Sequence, residues 1–191
     1  MKGFLFFMAC LLTASMPLSS CKGSNRGDDD KSKVLVAYFS VTGNTKAVAE
    51  HIAYVTGGDV WRIEPVLPYS SRDLDYRTAE SRSSREQHDA TARPQMFRDT
   101  PKLDRYEIVF VGYPIWWGIA PRIIESFLEG GDFKGKTVIP FCTSASSPLG
   151  KSGELLHKCA PDADWRPGRR FAEGTGRDEV KQWVDEVLGI E

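Results

Sequence analysis

Cysteine and histidine are both scarce in this chain, four and three among 191 residues. His51, His88 and His157 are dispersed, and no pair has the spacing of a metal-ligand set, so no metal centre is expected. No Ser-His-Asp order suits a hydrolytic triad either, and the three histidines read as ordinary helix or surface residues. An excess of charge of one sign is also missing. The net charge is −1, which leaves no basic field of the kind a nucleic-acid partner requires. What is present, 41% hydrophobic and 27% charged residues, is the balance of one globular domain with a sizeable core.

The first 21 residues differ from the rest. Lys2 precedes Gly-Phe-Leu-Phe-Phe-Met-Ala-Cys-Leu-Leu, and the segment ends on Leu18-Ser19-Ser20-Cys21. A cationic start and an apolar core of about a dozen residues describe a secretory signal, too short for a membrane span. Leu-Ser-Ser-Cys resembles the bacterial lipobox. That resemblance implies cleavage after residue 20, lipidation of Cys21, and a place at the cell envelope, anchored to the membrane and facing away from the cytoplasm. Residues 21–32 are polar and contain glycine, which suits a flexible tether. Cys142 and Cys159 are then the thiols left in the folded domain. They fall at the ends of a predicted strand and of the helix that returns along it. About nine helical residues rise roughly 13 Å, beyond the roughly 7 Å that a disulfide spans, so both are expected free.

The stretch around which the remainder is arranged is Val34–Glu50. A β-branched and aromatic run, Val34–Phe39, passes through Ser40, Val41, Thr42, Gly43, Asn44 and Thr45 into an Ala-rich helix. At such a junction the first helical N–H groups lack partners and the peptide dipoles favour an anion. Hydroxyls and a glycine make it a phosphate cradle, although strand-to-helix turns that bind nothing prefer the same residues. Neither Gly-x-x-x-x-Gly-Lys nor Gly-x-Gly-x-x-Gly is present in it.

Further along, Asn44–Val55 has helical apolar spacing and stops at Gly57-Gly58. Asp59–Glu64 reads as a short strand. Pro65–Leu103 is opaque: a helix over Leu74–Gln87 fits, and the segment is either a lid facing a substrate or a solvated crossover. Its basic residues from Arg72 to Arg98 alternate with acids, as on a solvated face. Glu107–Tyr113 is nearly continuous apolar, a central strand. It runs into Pro114, Ile115, Trp116, Trp117 and Gly118, where two adjacent tryptophans cannot both be core and make a flat wall for a planar ring. Pro121 begins a helix through Leu128. Thr137–Cys142 is a strand with Pro140 inside it, where a bulge or a locally unpaired position is expected. It is followed by a loop at 143–150, with Thr143, Ser144, Ala145, Ser146 and Gly150, and by a helix over Ser152–Lys158. Asp164–Phe171 holds a final short strand and Asp178–Leu188 a closing helix, with Lys181 and Asp185 as a surface ion pair. Strands alternating with helices predict an α/β three-layer sandwich whose ligand site lies beyond the carboxyl ends of the strands. The loops at 40–45, 113–118 and 143–150 share that edge.

Ser40-x-Thr42-Gly43-Asn44-Thr45, Gly112-Tyr113-Pro114-Ile115-Trp116-Trp117-Gly118 and Pro140-Phe141-Cys142-Thr143-Ser144, in this order, resemble the flavodoxin family over roughly residues 33–188. The resemblance implies a flavodoxin-like five-stranded parallel sheet of order 2-1-3-4-5 and one FMN. The first loop would hold its phosphate, and the second and third would flank its ring. Ser144, Ala145, Ser146 and Ser147 stand in the loop where many members carry glycines, and the chain lacks the strong acidity of small electron carriers. The function expected is that of an FMN redox protein. It would transfer electrons to an unidentified redox partner, or act as an oxidoreductase on a small-molecule acceptor such as a quinone. The other reading is a binding module of the same fold that has lost FMN.

Overall fold

The computed structural model describes residues 33–190; the signal segment, Cys21 and the tether lie outside them. The elements are β1 (Val34–Tyr38), α1 (Asn44–Thr56), β2 (Asp59–Arg62), α2 (Arg82–His88), β3 (Ile108–Pro114), α3 (Arg122–Glu129), β4 (Thr137–Thr143), α4 (Ser152–Cys159), β5 (Asp164–Trp165), β6 (Arg169–Phe171) and α5 (Arg177–Leu188). The sheet is parallel throughout, in the order β2-β1-β3-β4-β5, with β6 also paired to β4. This is the flavodoxin-like α/β sandwich.

Successive residues of a strand point to opposite faces, and here both faces are buried. Leu35, Ala37 and Phe39 join Val109, Val111 and Tyr113 in one core, closed by Ile123, Phe127 and Leu156. Val36 and Tyr38 join Phe110 and Ile139 in the other, closed by Val48 and Ile52 of α1 and Trp183 and Val184 of α5. Helices thus cover each side of the sheet, which is why its central strands read as unbroken apolar runs.

The last strand is split, and Pro140 explains the break. The N–H of Thr137 donates to Glu107 on the β3 side, so by alternation the nitrogen of Pro140 faces the opposite neighbour. That neighbour pairs with Thr137 and Val138, then again only from Phe141 onward. Between them Gly168 lies so close to β4 that a Cβ there would meet the Pro140 carbonyl at 2.4 Å.

The helix expected over Leu74–Gln87 is shorter, Arg82–His88. Ser70 donates its backbone and side-chain hydrogens to Asp73, and Arg77 N–H donates to Asp75, so local side chains take the backbone groups a helix would use. The helix starts where Ser81 accepts from Ser84 N–H as its cap. The alternating charges here are also more ordered than a solvated face: Arg82 and Glu86 pair at 2.7 Å with side chains 20% and 16% exposed. Cys142 and Cys159 are both free thiols. Among the described residues no helix is long and apolar enough to cross a membrane.

Candidate functional site

Beyond the carboxyl ends of β1 and β3 lies a cavity of about 470 Å³. One end is hydroxylic. Ser40, Thr42 and Thr45 line it, at the start of α1. Gly43 sits before this helix with φ 99°, and no side chain caps it. The first turn of α1 carries no acid, so its exposed N–H groups keep their affinity for an anion. Ser40 Oγ accepts from Gly43 N–H at 3.2 Å, shaping the turn. Thr45 is buried, and its Oγ1 lies 2.7 Å from Thr143 Oγ1, tying the first loop to the third.

The other walls are apolar and aromatic: Val41, Pro114, Ile115, Trp116 and Trp117, with Leu74 and Tyr76 from the excursion between β2 and β3. Among the described residues that line it, none has a charged side chain. The two tryptophans part company. Trp116 is held edge-on by Phe39 and Tyr69, with ring centroids 5.5 and 5.2 Å away. Trp117 is 39% exposed. Trp116 and Ile119 exchange backbone hydrogen bonds of 2.9 and 3.1 Å across a tight turn. Its two central residues, Trp117 and Gly118, have φ 49° and 78°, the signature of a type I′ turn. For glycine this is easy. For a tryptophan it costs about 1–2 kcal/mol, and such strain held at a cavity mouth points to function.

Helix α2 braces this turn. Gln87, buried, donates from Nε2 to the carbonyls of Trp116 and Ala120 at 2.9 and 3.2 Å, and its Oε1 accepts from Arg122 N–H. The His88 ring meets Trp117 at 6.1 Å. Tyr69, which backs Trp116, hydrogen-bonds Glu86 and lies under the Arg82 guanidinium at 4.1 Å. Burial, and then the Glu86 contact, push its phenol well above the ordinary range.

Of the residues singled out from the sequence, the fold brings Ser40, Val41, Thr42, Thr45, Pro114, Ile115, Trp116 and Trp117 together around the cavity. Gly43 and Asn44 complete the first loop beside it. Gly118 and Gly150 touch, since a Cβ on Gly150 would meet the Gly118 carbonyl at 2.3 Å. Thr143 reaches the site through Thr45. Ser144, Ala145 and Ser146 do not line the cavity. Ser144 Oγ donates to the Ser147 carbonyl, and Arg170 Nη1 donates to the carbonyls of Ser144 and Ala145 at 2.8 and 3.2 Å. Sequence reasoning missed Leu74, Tyr76, Ser83 and Gln87. The crowding of Ser81, Ser83 and Ser84 in an otherwise charged segment was the available signal.

Glu125, Glu129 and Cys159 also converge, but Arg93 occupies both carboxylates at 2.7 Å. Burial, and then the two carboxylates, push the Cys159 thiol up to about 12. The cluster is an ion pair with a neutral thiol beside it.

No curated protein sequence matches this chain. Among solved structures, a protein of Bacteroides uniformis assigned as a flavoprotein is 42% identical, with a TM-score of 0.77 over 81% of this chain and 99% of that one. Another so assigned, from Bacteroides eggerthii, is 45% identical, with a TM-score of 0.77 over 83% and 99%. A flavoprotein of Lactobacillus acidophilus in complex with FMN shares the fold at 21% identity, with a TM-score of 0.59 over 80% and 98%. The family model described as flavodoxin matches residues 33–187. With the sheet order, the hydroxyl-lined helix start and the aromatic wall all in place, this chain belongs to the flavodoxin family.

Proposed function

We propose that this chain is an FMN-binding redox protein. The observation that carries this reading is a cavity that joins an uncapped helix start, ringed by three hydroxyls, to a wall of tryptophan, proline and isoleucine. The hydroxyls and N–H groups suit a phosphate monoester, and the apolar faces suit a planar ring. The residues present fit the group. When bound, FMN supplies one- or two-electron redox chemistry.

The chain's own residues do the rest. Ser40, Thr42 and Thr45, with the first N–H groups of α1, hold the phosphate. Trp116, fixed by Phe39 and Tyr69, excludes water from one side of the ring, and the strained Trp117 stands at the mouth. Uncharged walls favour a neutral acceptor, which supports an oxidoreductase acting on a small planar molecule, such as a quinone, over a carrier that docks by charge. The apolar amino-terminal segment and the lipobox-like Leu18-Ser19-Ser20-Cys21 support a location for this activity at the bacterial envelope, on a lipid anchor at Cys21.

Reconstitution tests the reading. Purified protein mixed with FMN is expected to retain the visible flavin band through gel filtration, and a colourless protein sinks it. Steady oxidation of a nicotinamide in the presence of a quinone separates enzyme from carrier. Metabolic labelling with a radioactive fatty acid, lost in Cys21→Ala, tests the anchor.

A further inference from the structure

Five buried side-chain nitrogen or oxygen atoms lack a hydrogen-bond partner among the described residues: Ser83 Oγ, Tyr113 OH, Arg122 Nε, Ser126 Oγ and Ser152 Oγ. Four belong to residues away from the cavity wall. Ser83 is the exception, for it lines the cavity while being only 1% exposed. A buried hydroxyl without a partner is unfavourable. A serine in a helix ordinarily escapes this by bonding a carbonyl one turn back; at the start of the same helix the Ser81 hydroxyl is matched by accepting from Ser84 N–H, whereas Ser83 Oγ has no partner of either kind among the described residues. Its backbone N–H is already taken by the Asp73 carbonyl at 2.9 Å, so the residue is held in place with its hydroxyl unmatched.

The placement of α2 says which part of a ligand this hydroxyl would meet. Ser83 and Gln87 are four apart and share one helix face. Gln87 is fastened to Trp116 and Ala120, so this face is docked on the aromatic turn. The phosphate end is already furnished with Ser40, Thr42 and Thr45 around the α1 start.

We infer that the excursion between β2 and β3 is part of the cofactor site, with Ser83 Oγ hydrogen-bonding the ring or ribityl portion of the bound flavin. The inference rests on the FMN reading, which it deepens. It makes the excursion a structural half of the pocket, clamped to the tryptophan turn by Gln87 and contacting the ligand through Ser83.

The test compares the full chain with Ser83→Ala and Thr45→Ala, titrated with FMN and with riboflavin by quenching of flavin fluorescence. Ser83→Ala is expected to weaken both ligands by about three- to tenfold, the range of one net hydrogen bond. Thr45→Ala is expected to weaken FMN alone. The melting temperature of ligand-free Ser83→Ala should equal or exceed that of the parent, because the change removes an unmatched hydroxyl; a drop would mark a purely structural role and overturn the inference. Unchanged affinity for both flavins overturns it as well, as does a loss confined to FMN, which would put Ser83 at the phosphate. Failure of the parent chain to bind FMN would instead overturn the functional reading itself.

Discussion

The first and third loops leave the same edge of the sheet, and both are rich in hydroxyls, yet only one builds the cavity. In the first, Gly43 turns the chain at φ 99° directly onto α1, so Thr42 and Thr45 stand over free helical N–H groups. In the third, eight residues separate β4 from α4. Its polar groups satisfy one another, Ser144 with Ser147, and Arg170 with two carbonyls. What that loop offers a ligand is backbone. What makes the first loop a site is the uncapped helix start beneath its hydroxyls; hydroxyls in a loop say little by themselves.

The strongest attack on this contrast is Thr42→Ala with Thr45→Ala set beside Ser146→Ala with Ser147→Ala. Losing two hydrogen bonds to a charged phosphate should weaken FMN about a hundredfold, against a change of about twofold or less for the third-loop pair, both read by equilibrium dialysis. Equal losses would break the comparison. Trp117→Gly should come next. The expected result is FMN binding weaker by about tenfold from the lost aromatic contact, with no loss of melting temperature because the left-handed backbone relaxes.

Arg170→Ala should lower stability by about 1–2 kcal/mol in urea unfolding by freeing two carbonyls, while flavin affinity falls less than in the threonine pair. The smallest effect concerns the thiols. Burial pushes Cys142 and Cys159 up to about 12, whereas an unfolded thiol titrates near about 8.5. The folded state therefore holds these protons to higher pH than the unfolded chain. Their contribution to stability is whole below about pH 8.5, and it declines as pH rises toward about 12. Maleimide labelling of native protein near neutrality should accordingly leave both positions unmodified.

The contrast also marks how far the sequence could be read. Strands such as Val34–Tyr38 and Ile108–Pro114 were legible because burial on both faces writes itself as unbroken apolar residues. Pro140 announced a gap in pairing with the neighbouring strand for a chemical reason, a missing N–H, that acts wherever it stands. The excursion was opaque because its order comes from contacts far apart in sequence: Gln87 to Trp116, Tyr69 to Trp116, and Phe97 N–H to the Glu64 carbonyl. No local period encodes those. The candidate site was half visible for the same reason, since its floor comes from strand ends and its far wall from that excursion.

Pro140 has one further consequence, for the outer rim of the sheet. A parallel sheet ends in strands whose outward backbone groups can recruit another chain. Here one rim is β2, four residues long, and the other is broken into pieces of two and three. Neither offers a run long enough to template a foreign strand. By splitting its neighbour, a single proline in the interior blunts the periphery and guards the folded molecule against edge-to-edge aggregation.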